Sequence, residues 1–219
     1  MTSSPSIRTF HARRGRMSSS RLRILDDIVP RFELAHDTRA IDLHDATGAS
    51  KVIIDFGCGM GDATIALLTE QPDAMVLAID VHTPGICRIA EFADENNLER
   101  LRIHHGDGFI VLEQLLAESS VDTMLVLFPD PWPKAKHHKR RLVQPSFLAL
   151  VHRLLNADGQ LVIATDDSSY AEHINEVIAD CDLFSRNSTN YPIPSTGFAR
   201  RGIKLGNSIE IFTLNPVAK

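Results

Sequence analysis

The chain passes five times from a short apolar run to a segment with helical spacing. The runs are "KVIIDFG" (51–57), "AMVLAID" (74–80), "LRIHH" (101–105), "VDTMLVLF" (121–128) and "QLVIATD" (160–166). Segments 62–70, 84–97, 108–118 and 143–155 separate them, and 168–180 follows the last. Runs of this kind read as strands buried on both faces, and parallel neighbours need a helical crossover. The alternation therefore predicts an α/β fold, a doubly wound, mostly parallel Rossmann-like sheet. The last 25 residues, including "IEIFTL" (209–214), would add one or two terminal strands in antiparallel sense. "DATGAS" (45–50) reads as a linker by its Gly, Thr and Ser content. At 219 residues there is material for one such core with an extension. The expected division is a basic N-terminal arm and helix over 1–45, with an amphipathic helix from Ser18 to Leu34, and the sheet domain over 46–219.

Charge is segregated along the chain. Net charge is −5, yet residues 1–25 hold six arginines and no acid, and residues 131–157 hold six Lys/Arg and no acid. The rest of the chain carries all 28 acids. Basic patches on an acidic body suit a protein that holds a polyanion in one place; two solvated faces are the plainer alternative. The Arg/Ser-rich start also fits the composition of a transit peptide. No apolar run approaches the ~18 residues of a membrane span, so no membrane is expected as partner. Cys58, Cys87 and Cys181 are too few and too scattered for a disulfide framework or zinc ribbon, which points to a reducing cytoplasm and no metal.

Ligands in such sheets bind beyond the carboxyl ends of the strands. The first end reads "DFGCGMGD", with Gly57, Gly59 and Gly61 on alternate positions so that backbone can approach a ligand. A dinucleotide fingerprint would place its third glycine at 62, where Asp62 stands. Asp55 would repel a pyrophosphate but attract a sulfonium and an ammonium. Asp80 ends the second strand at the distance that serves ribose hydroxyls, and Asp107 ends the third, within reach of an adenine amino group. Each acid alone is as well explained as a helix cap. Together with the glycine loop they resemble a class I S-adenosylmethionine-dependent methyltransferase; a nucleotide-sugar or NAD enzyme is the competing reading.

The fourth end reads "LFPDPWPKAKHHKRR" (127–141). Asp130 arrives beside the donor loop, with Pro129, Pro131 and Pro133 restricting the backbone around it. Trp132, the single tryptophan, offers a flat face for a base. Lys134, Lys136, Lys139, Arg140 and Arg141 suit phosphate oxygens. The plainer reading has Trp132 covering the sheet edge and the cations solvated. His137 and His138 lack Cys or acid partners nearby and do not read as zinc ligands.

"FPDPWPKAKHHKRR" resembles the signature of the bacterial tRNA (guanine-N7)-methyltransferases. "IRTFHARRGRM" (7–17), "IDVHTPG" (79–85) and "ATDDSSYAEH" (164–173) are similar to other segments of that family, so the likeness runs through nearly the whole chain. The resemblance implies a cytoplasmic tRNA-modifying enzyme, monomer or homodimer, with S-adenosylmethionine as methyl donor and tRNA as partner. Asp55, Gly57, Gly59, Asp80, Asp107 and Asp130 would contact the donor, Asp130 would also be catalytic, and Lys134, Asp166 and Thr196 would contact RNA. One departure stands out. Where that family carries T-x-F-E-x-R-G, this chain reads "TGFARRG" (196–202), with Ala199 in place of the acid. That leaves two other readings open. One is an amino-methyltransferase of adenine or cytosine, although "DPW" lacks the second proline those enzymes carry before the aromatic. The other is a weakly active or inactive RNA-binding protein on the same fold.

Overall fold

The computed structural model describes residues 18–34, 40–189, 191–204, 206 and 208–218. The basic arm over 1–17, with the whole of "IRTFHARRGRM", lies outside them.

Alternation along β1 (Lys51–Phe56) sends Val52, Ile54 and Phe56 into one hydrophobic layer and Ile53 into the other. β2 (Ala74–Asp80), β3 (Leu101–His105), β4 (Val121–Leu127) and β5 (Leu155–Thr165) extend the sheet in parallel. β6 (Phe184–Arg186) and β7 (Glu210–Pro216) complete it, with β7 antiparallel to both neighbours. The order is β3-β2-β1-β4-β5-β7-β6. The expected doubly wound sheet is thus present, and its winding reverses between β1 and β4, where a ligand crevice opens.

Nine α-helical segments and several tighter or wider turns cover the two faces among the described residues. α1 (Ser19–Arg23), a π-helical turn and α2 (Val29–Phe32) form the helical stretch expected from Ser18. α3 (Leu43–Thr47) follows, then α4 (Asp62–Glu70) and α5 (Thr83–Glu95). α6 (Gly108–Ile110) continues as a π-helical turn, and α7 (Pro145–Leu154), α8 (Ser168–Ala179) and α9 (Gly197–Lys204) complete the set. α2, α4 and α5 bury Phe32, Leu67 and Ile89 on one face; α7 and α8 bury Phe147 and Ile174 on the other. Each such side chain contributes about 1.5–3 kcal/mol on leaving water.

Three details differ from expectation. "DATGAS" is half helix, because Asp42 caps α3 by accepting from the His44 and Asp45 amides and Gly48 (φ 67°) ends it left-handed. β5 starts at Leu155, which pairs with Val121, rather than at Gln160, so residues 157–159 form a bulge within the strand. The second added strand, β6, precedes the C-terminal stretch in which it was expected, and α9 occupies part of that stretch. Residues before β1 pack onto the sheet: Leu34 and Leu43 are core residues, and the Leu34 amide donates to Ile103 O at 2.8 Å.

Candidate active site

The loop after β1 is built from backbone pressed against backbone. The Gly57 and Cys58 amides both donate to Ile79 O, at 2.8 and 3.2 Å. Gly59 (φ 56°) donates to Asp80 Oδ2 at 2.7 Å. A Cβ on Gly85, at the start of α5, would lie 1.7 Å from Gly59 O. Only glycine fits there, a requirement that a lone glycine in "HTPG" did not announce. Asp80 therefore braces the loop, with its other oxygen accepting from the His82 amide at 2.8 Å. Lone pairs remain on both oxygens for ribose hydroxyls. Asp55 is 1% exposed and accepts from Thr64 Oγ1 at 2.6 Å. Burial pushes its carboxyl from 3.8 to about 6, against the Thr64 hydrogen bond and with the neighbouring Asp80 charge. Asp107 caps α6 through the Phe109 amide at 3.0 Å.

After β4 the chain turns through two left-handed residues that are not glycine, Phe128 (φ 53°) and Trp132 (φ 45°). Each costs about 1–2 kcal/mol relative to ordinary backbone, so surrounding contacts must hold the turn. The Phe128 amide donates to Ala164 O at 2.8 Å. Arg141, 2% exposed, donates from Nε to Pro131 O (2.9 Å) and from its two Nη atoms to Ser169 O and Oγ (3.2 and 2.8 Å), over the Tyr170 ring. The expectation that Arg141 grips phosphate is thereby corrected: it clamps the Asp130 turn from inside. Trp132 also differs from the open platform expected, since the Arg140 guanidinium sits 4.9 Å from its ring and His137 meets it edge-on. Lys134, Lys136 and Lys139 are exposed.

A third wall comes from α9. Thr196 caps it, its Oγ1 accepting from the Ala199 amide at 3.0 Å. Position 199 is thus the third residue of the helix, where a capping box places an acid. Local helix chemistry therefore accounts for a T-x-x-E spacing here, independent of any contact with a base.

These walls enclose a cavity of about 390 Å3 beyond β1 and β4. It brings together Asp55, Gly57, Gly59, Asp80, Asp107, Asp130 and Thr196. Lys134 and Asp166 do not line it. Lys134 opens a 3-10 turn on the surface, and Asp166 lines a smaller cavity of about 260 Å3 with Asp167 and Glu210. Asp62, Arg140 and Arg201 also line the main cavity, and their donor-side placement had no signal in the spacing. Volume and chemistry fit S-adenosylmethionine: an apolar wall from Phe56, Ile79 and Phe109, with carboxylates for its cationic end and hydroxyls. Among the described residues, no cluster of three or more His, Cys, Asp or Glu could hold a metal ion.

Comparison with known proteins agrees with this construction. A family model described as "Putative methyltransferase" matches residues 49–208. The tRNA (guanine-N(7)-)-methyltransferase of Nitrosomonas europaea is 37% identical over 97% of this chain and 99% of its own. That of Streptomyces avermitilis is 39% identical over 88% of this chain and 67% of its own. In fold the chain is similar to the aminoglycoside resistance methyltransferase NpmB1 (TM-score 0.56, 16% identity, 82% of this chain and 95% of that one). An rRNA methylase from Streptococcus thermophilus is similar in fold too (TM-score 0.54, 13% identity, 84% of this chain and 100% of that one). With likeness at this level along almost its entire length, the chain is a methyltransferase that belongs to the tRNA (guanine-N7)-methyltransferase family.

Proposed function

We propose that the protein transfers a methyl group from S-adenosylmethionine to N7 of a guanine in tRNA. The observation that carries this reading is the single cavity shared by the β1 glycine loop, the strand-end acids and the Asp130 turn. Bound there, S-adenosylmethionine supplies an electrophilic methyl group on a sulfonium. Asp80 and Asp107 hold its ribose and adenine, with Gly57 and Gly59 beneath, and Asp55 balances its cationic end. Guanine N7 already presents a lone pair, so the protein has no proton to remove before transfer. Its work is alignment and electrostatic preorganisation. Asp130 is the catalytic residue in this account, placed to orient the base through its N–H groups while facing the donor. Asp166 and Thr196 complete the target side. Lys134, Lys136 and Lys139 take RNA phosphates, together with the basic arm.

The proposed enzyme is cytoplasmic, a compartment that holds its tRNA substrate, and acts as a monomer or homodimer. In the described residues no helix is long and apolar enough to cross a membrane. Incubation with labelled donor and unmodified tRNA, followed by nucleoside analysis, tests the reading. Labelled 7-methylguanosine is expected. Methylated adenosine or cytidine, or RNA binding with no transfer, would overturn it.

A further inference from the structure

The glycine loop ends in an acid that donor binding leaves unused. Asp62 opens α4 with its side chain 20% exposed, and its carboxylate is shared by three elements. Oδ1 accepts from Arg88 Nη1 of α5 at 2.6 Å, and the same Nη1 donates to Met60 O at 2.6 Å. Oδ2 accepts from the Gly197 amide at 2.7 Å and from Arg200 Nη2 at 3.3 Å, both in the first turn of α9. Burial opposes the charge, but the hydrogen bonds from Arg88 and Gly197 outweigh it and hold the carboxyl below 3.8. A carboxylate at the amide end of a helix is also favoured by the helix dipole. Among the described residues, five acids line the main cavity (Asp55, Asp62, Asp80, Asp107 and Asp130), and Asp62 is the one that pairs with two arginines.

The attachment joins the start of α9 to the donor loop. Of its described side-chain positions only Ala199 and Gly202 are buried, and both are small. Gly202 lies against Asp166, whose Oδ2 would stand 2.8 Å from an added Cβ. α9 thus runs between the two cavities, tied at its start to the donor loop and resting at its far turn on the residue after β5.

We propose that Asp62 is a positioning residue for methyl transfer, a latch that fastens the first turn of α9 to the donor loop and so sets Thr196, on the target side, and Arg201 in the wall of the main cavity. Thr196 and Gly197, in and just before that turn, line the main cavity. The proposal rests on the reading of the main cavity as the donor site. It assigns Asp62 no contact with the reacting atoms.

Four variants test it: Asp62→Ala, Asp62→Asn, Arg200→Ala, and the double variant Asp62→Ala with Arg200→Ala. Two readouts need no RNA, namely donor affinity by calorimetry and the rate of tryptic cleavage within α9 after Arg201, a site that all four variants keep. Losing charge-assisted hydrogen bonds of this kind predicts donor affinity about tenfold weaker and α9 cleavage about tenfold faster in Asp62→Ala. Asp62→Asn keeps an acceptor for the Gly197 amide and is expected between that variant and wild type. The double variant should be no worse than Asp62→Ala, because both changes open one contact. Wild-type cleavage and donor affinity in Asp62→Ala would overturn the proposal. So would cleavage accelerated equally at sites throughout the chain, which would make Asp62 a general stabiliser. Failure of the wild-type protein to methylate tRNA would count against the function proposed above and leave these two readouts standing.

Discussion

Asp55 sits where fold and ligand ask opposite things of one carboxylate. Its carboxyl titrates near 6 in the folded protein, against 3.8 ordinarily, chiefly because burial disfavours the charge. A raised acid pKa gives stability that is complete below pH 3.8 and is lost as pH rises through about 6. The loss amounts to about 3 kcal/mol by pH 8. A cationic donor reverses the preference, since it favours the ionised form. Asp55→Asn is therefore predicted to be more stable than wild type at pH 8 and to match it near pH 4, as urea unfolding at both values will show. In wild type the donor should bind more tightly at pH 7.5 than at pH 5, and the variant should bind weakly at both. A donor affinity independent of pH would remove Asp55 from the site. The acid itself was legible in "DFGCGMGD". Its conflict was not, because Thr64 and the complete burial of Asp55 are set by how α4 packs.

Among elements, the turn from Phe128 to Trp132 depends on a neighbour that sequence makes indistinguishable from its companions. In "KRR", Arg140 and Arg141 look alike. Arg140 stacks on Trp132 at the cavity wall, whereas Arg141 points inward to Pro131 and Ser169. Arg141→Ala would leave the Pro131 and Ser169 carbonyls without this donor inside the protein and open a void. A loss of about 2–4 kcal/mol is expected, with lower kcat as the turn relaxes. Arg140→Ala should cost under about 1 kcal/mol, the scale of one partly solvated cation–π contact. Thermal melts of the two variants check the contrast, and equal losses would refute the clamp. The five parallel strands and their helices were legible because apolar runs and crossover lengths leave few alternatives. α3 and α9 were not, since their first turns depend on Asp42 and Thr196 as caps, and polar residues of that kind also mark loops.

Across the whole molecule, the sheet order β3-β2-β1-β4-β5-β7-β6 gathers strand ends that are far apart in sequence onto one edge. There Asp55, Asp80, Asp107 and Asp130 line one cavity, and the exposed Lys134, Lys136 and Lys139 follow Asp130 along the chain; in the proposed function the cavity takes the donor and the lysines take RNA phosphates. Those acids were legible because each directly follows an apolar run. The smaller cavity around Asp166 and the passage of α9 between the two cavities were not, because they arise from contacts such as Asp62 with Gly197, 135 positions apart. In the proposed mechanism Asp130 acts beside the reacting atoms in the main cavity. That role is tested most directly by the single-turnover rate of methyl transfer to tRNA by Asp130→Ala, with donor and tRNA saturating. Transfer is expected to slow by at least about 100-fold, the scale of losing one aligned electrostatic contact in the transition state. Transfer at the wild-type rate would contradict it.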